Sequence, residues 1–129
     1  MISKQPIAPE RIRRISGSFS WIDHRILTGG FLTSMSRDEI VLYFFLVLVG
    51  DKNGVSFYSY DKICQLLNIE LDDYLQARNL LLKRSLIACH QGRFQVLELP
   101  KQQIHVNESQ RGDEFRSIKT IFQTLMQQA

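Results

Sequence analysis

The chain has 129 residues, 44% of them apolar, and a mean hydropathy of −0.13, which fits one globular domain with short appendages. Sixteen basic and thirteen acidic side chains give a formal charge of +3, so composition alone names no polyanionic partner. No apolar run reaches the ~20 residues of a membrane helix and none near the amino terminus has signal-peptide length; the expectation is a cytoplasmic protein with no membrane partner.

The positive balance is local. Residues 1–35 hold five basic and two acidic side chains, residues 36–99 seven and eight, and residues 100–129 four and three. Residues 1–18 read as an extended arm, because Pro6 and Pro9 block an early helix. Arg11, Arg13 and Arg14 make that arm a candidate to lie along nucleic-acid phosphates, or else a solvated tail. In residues 19–35, Ser20 followed by Asp23 resembles a capping box opening a short helix through about Leu27, which Gly29 and Gly30 end. Phe19, Trp21, Ile26, Phe31 and Leu32 are too apolar for a free tail, so this extension is expected to pack on the core. His24 stands alone and suggests no acid–base site.

The clearest helix start is Ser36, whose S-x-x-E pattern with Glu39 forms a capping box with Met35 and Ile40 at the staple positions. The run Ile40–Val49 that follows is apolar on every side and Gly50 ends it. A helix of that kind must be covered on every side, by the arm or by a second subunit. Asp51-Lys52-Asn53-Gly54 is a turn, and Val55–Tyr58 a short strand.

Residues 59–99 then read as helix, tight turn, longer helix and β-hairpin. Ser59 is placed to cap the first of these helices, which buries Ile63, Leu66 and Leu67. Asn68 stands where the chain reverses, since asparagine tolerates the left-handed conformation. The longer helix buries Leu71, Tyr74, Leu75, the stem of Arg78, Leu81 and Leu82, leaving Asp72, Gln76, Asn79 and Lys83 on its other face. The hairpin pairs Leu86–His90 with Arg93–Leu99 around Gln91-Gly92, and Pro100 stops it. Residues 101–110 read as a polar linker. Phe115, Ile118, Phe122 and Leu125, at the 3, 4, 3 spacing, make a carboxy-terminal amphipathic helix that packs on the domain or forms a dimer interface.

No phosphate-cradling glycine loop, nucleophile elbow or H-E-x-x-H stands in the chain. Cys64 and Cys89 are 25 positions apart in apolar surroundings and are expected as buried free thiols. Cys89 and His90 point to opposite faces of a strand and cannot grip one metal. No catalytic residue, metal or cofactor is expected, and the chain does not read as an enzyme. Gln76 and Asn79 carry amides able to pair with adenine in a major groove. Lys83, Arg84 and Arg93 are candidates for phosphates beside them. Asp72 and Asp73 favour the helix start but would repel a duplex.

The stretches S-R-D-E-I-V-L-Y-F-F-L, Y-S-Y-D-K-I-C-Q-L-L-N and A-R-N-L-L-L-K-R-S-L-I-A resemble the winged helix-turn-helix family. They look most like the amino-terminal domains of bacterial replication-initiation and primosome proteins of the DnaD type. Ser85 stands where such domains usually have glycine. The resemblance covers about half the chain and implies DNA binding, self-association, or both. The resulting expectation is a mainly α, α+β protein with a small antiparallel sheet. Residues 1–35 form a basic arm and packing extension, 36–99 the winged helix-turn-helix domain, and 100–129 a linker and helix. It is expected to be a homodimer that binds double-stranded DNA, as a transcriptional regulator or replication accessory. The alternative is a protein–protein interaction module that uses the same fold without touching nucleic acid. The near-neutral domain makes the position of the arm decisive: the electrostatic case for DNA needs it beside the wing.

Overall fold

The protein is seen in a computed structural model that describes residues 4–106. After a 3-10 turn at Pro9–Arg11 come α1 (Arg25–Thr28), α2 (Phe31–Ser34), α3 (Arg37–Val49), β1 (Val55–Phe57), α4 (Tyr60–Leu67), α5 (Leu71–Lys83), β2 (Ile87–His90) and β3 (Arg93–Val96). The arrangement is α+β and winged-helix-like. The three strands form an antiparallel sheet in the order β1-β3-β2, so β1 joins the hairpin as its third strand. Among the described residues no helix is long and apolar enough to cross a membrane.

Local chemistry explains most of the boundaries. Glu39 N donates to Ser36 Oγ at 3.2 Å and Ser36 N to Glu39 Oε1 at 3.1 Å, the reciprocal capping box expected at the head of α3. Asn68 ends α4 at φ 54°, in the left-handed region. The turn before β1 is held by one carboxylate: Asp51 Oδ1 accepts from Asn53 N at 2.8 Å and Val55 N at 3.0 Å. Those two bonds keep the Asp51 carboxyl below its ordinary range. Gln91 and Gly92, both at positive φ, form the hairpin turn.

Several expected details differ. Ser20 and Asp23 make no capping box. Ser20 Oγ donates instead to Leu48 O at 3.1 Å, Asp23 Oδ1 accepts from Arg25 N, and the helix starts only at Arg25. A second short helix, α2, follows Gly30, whose φ of 82° reverses the chain. Ser59 sits at the head of α4 without capping it; its hydroxyl bonds to the Asp61 carboxylate and lowers that group's pKa. Both β1 and the hairpin are shorter than expected. The β3 ladder stops at Val96, although Leu97 N still donates to Leu86 O. Beyond it the backbone turns toward α1, where the Arg25 guanidinium takes the carbonyls of Pro100 and Lys101 at 2.7 and 3.0 Å.

The core lies between α3, α5 and the sheet, with α4 on its flank. Leu42, Leu46, Ile63, Leu75, Leu81 and Leu86 are fully buried there. Ile26, Phe31 and Met35 belong to the same core, so the extension packs on the domain through α1 and α2. Phe19 and Trp21 do not: they remain 71% and 74% exposed. Cys64 and Cys89 are free thiols, half-buried rather than buried, and burial raises the pKa of Cys64.

Candidate interaction surfaces

The longer helix presents only part of the reading face expected of it. α5 packs against α3, α4 and β2, and six of its thirteen residues are buried. Its fully exposed residues are Asp72 and Asp73, both acidic. Gln76 and Lys83 are half-buried. Asn79 is buried at 4% exposure, one turn beyond buried Leu75, and its Nδ2 has no hydrogen-bond partner. The expectation that Asn79 reads bases is therefore wrong: the buried arc of α5 is wider than a single apolar stripe, and it includes this amide.

Arg84 is displaced from the expected site for an equally physical reason. At the end of α5 its side chain turns inward, and Nε donates to Glu39 Oε2 at 2.6 Å with both side chains almost fully buried. Nη2 donates to Ser34 O at 2.8 Å, and Nη1 reaches Ser34 Oγ at 3.4 Å. A carboxylate on the first turn of an otherwise apolar helix needs a buried cation. The fold buries Glu39, and Arg84 supplies that cation. It is not available to a phosphate.

Of the remaining candidates, Arg93 is exposed beside the hairpin turn, and Arg11, Arg13 and Arg14 are exposed on the arm. No hydrogen bond or ion pair links them among the described residues. Residues 18–23 run along the end of α3, the Asp51–Gly54 turn and residues 95–99, together lining an open cleft of about 850 Å³. The arm is thus rooted at the Val96 end of β3, whereas the wing turn lies at the Arg93 end. Phe115, Ile118, Phe122 and Leu125 lie outside the described residues.

A different surface stands out. α3 is buried along Leu42, Tyr43, Phe45 and Leu46 but exposes Val41, Phe44 and Leu48, at 39%, 54% and 57%. These three fall on one face at the 3, 4 spacing. The Ser20–Leu48 hydrogen bond brings Phe19 and Trp21 beside the end of that stripe, on the rim of the same cleft. Isolated exposed apolar residues need no explanation; a stripe on one helix with two more exposed aromatic rings beside its end does. Tyr43, at the bottom of the cleft, has its pKa raised by burial and then by the charge of Asp23. Among the described residues no three His, Cys, Asp or Glu side chains gather to hold a metal. No family model, curated protein or solved structure matches this chain.

Proposed function

We propose that this domain is a protein–protein interaction module of winged-helix-like build, docking through the exposed face of α3. One observation carries the reading: Val41, Phe44 and Leu48 form an uncovered apolar stripe that runs into Phe19 and Trp21. The incompleteness of the expected DNA-reading face supports it. Two of its expected contacts, Asn79 and Arg84, are buried, and the open end of α5 carries Asp72 and Asp73.

Double-stranded DNA binding is the second reading, and a specific observation favours it. Arg11, Arg13 and Arg14 are exposed, and no hydrogen bond or ion pair holds their side chains among the described residues. In this form the arm touches phosphates and α5 reads no bases, as a sequence-tolerant accessory would.

A mobility-shift assay with random duplex at low salt separates the two. The interaction module leaves the duplex unshifted. A shift whose log affinity falls with log salt at a slope of roughly −3, near −0.9 for each of three arm arginines, and which Arg11→Gln, Arg13→Gln and Arg14→Gln together abolish, would replace it with the DNA reading.

A further inference from the structure

We infer that the occupant of the α3 face is a second copy of this chain, docked antiparallel across a two-fold axis that passes beside Phe44. The inference rests on the interaction-module reading and adds the partner to it.

The face is complementary to itself. The apolar stripe Val41, Phe44, Leu48 is preceded one turn earlier by Arg37, exposed and unpaired among the described residues. It is followed, in the turn that ends the helix, by exposed Asp51. Arg37 and Asp51 are equally distant from Phe44 in the sequence, one on either side. When two such faces meet antiparallel about Phe44, each Arg37 comes toward the second copy's Asp51, and each Val41 lies within about one helical rise of facing the second copy's Leu48. That is the isologous pattern in which one patch serves both partners. A parallel pairing would instead set Arg37 against Arg37 and Asp51 against Asp51. The Asp51 carboxyl keeps its charge, because two backbone amides hold its pKa down.

The apolar area is adequate. Phe44, Phe19 and Trp21 are each more than half exposed. Aromatic side chains bury ~150–250 Å² when covered, so the three rings offer roughly 400 Å² per copy, or about half of a standard interface across the pair. Val41, Leu48 and Ile22, also exposed, enlarge it. The stripe is narrow and the helix short, which suits an exchangeable dimer better than an obligate one.

The test uses the full chain. Sedimentation at low and high micromolar concentration should show a concentration-dependent dimer. Phe44→Asp should weaken it by roughly a hundredfold or more, since one substitution enters the interface twice. Phe44 is exposed, so far-UV circular dichroism should be unchanged. Arg37→Glu, which sets like charges at both ends of the contact, should weaken it by about tenfold. The orientation is read by cysteine cross-linking with Cys64 and Cys89 replaced by serine. Phe44→Cys should link copy to copy, because the axis brings that position against itself. Arg37→Cys should not, because it and its copy stand 14 helical rises apart, about 21 Å. Cross-linking of both variants alike would overturn the two-fold arrangement. A wild type that is monomeric at both concentrations would end the second-copy inference, while the duplex assay still decides the interaction-module reading. A monomer whose Phe44 is nonetheless shielded from oxidative labelling would assign the face to the chain's own residues 111–128.

Discussion

Replacing Arg84 by methionine tests the placement of that residue most directly. Methionine keeps the aliphatic stem but leaves the Glu39 carboxylate buried without its cation and frees the Ser34 carbonyl. Removing one partner of a buried pair costs about 3–5 kcal/mol, against ~5–15 kcal/mol for the total stability of a domain this size. At about 4–8 °C per kcal/mol, the melting temperature should fall by roughly 12–40 °C. Urea unfolding followed by circular dichroism gives the free energy. Arg93→Met, at an exposed arginine, is the control and should stay within ~0.5 kcal/mol of wild type. Glu39→Gln removes the charge while keeping an oxygen for Ser36 N, so the cycle of the two single variants and the double isolates the ion pair. If Arg84→Met costs less than about 1 kcal/mol, the pair behaves as an exposed one does, and Arg84 returns to the surface as a candidate phosphate contact.

Two further outcomes follow from backbone and burial. Ser85 holds φ 59° at an exposed position; Ser85→Gly should raise stability by about 0.5–1 kcal/mol, because the left-handed penalty exceeds the added chain entropy of glycine. A neutral or destabilising result in urea titration would refute that. Burial raises the pKa of Tyr74 and of Tyr43 above the ordinary value of 10.0. Above pH 10 the unfolded chain therefore releases phenolic protons that the folded chain retains, and stability should fall as pH rises past that value. Tyr74→Phe should flatten the fall; an unchanged slope would show that Tyr74 is not the group responsible.

Local signals were strong where the chemistry is local. The Ser36–Glu39 box, the left-handed Asn68, the Asn-Gly turn and the hairpin turn each depend on a few consecutive residues, and all stand where the sequence puts them. The candidate site was legible only in part, because exposure is a tertiary property. A 4, 3, 4 spacing on α5 identifies a face, yet it cannot say that α3, α4 and β2 close round the helix and bury Asn79. Arg84 and Glu39 lie 45 residues apart, and neither residue alone betrays the other. The run Ile40–Val49 is apolar on every side, and Val41, Phe44 and Leu48 are the part of it that stays exposed. Which side of it stays open depends on how α3 sits against α5 and the sheet.

The clasp between Arg25 and the carbonyls of Pro100 and Lys101 bears on how the chain is finished during its synthesis. The contact joins residues 75 and 76 positions apart, and a third bond, Ser34 Oγ to Gln103 Oε1, spans 69. At ~5–20 residues per second, translation delivers the second half of the clasp about 4–15 s after the first. Throughout that interval Arg25 has no carbonyl to hold, whereas Ser34 at the end of α2 already has Arg84 once α5 is made. The earliest residues of the domain are therefore among the last to be locked.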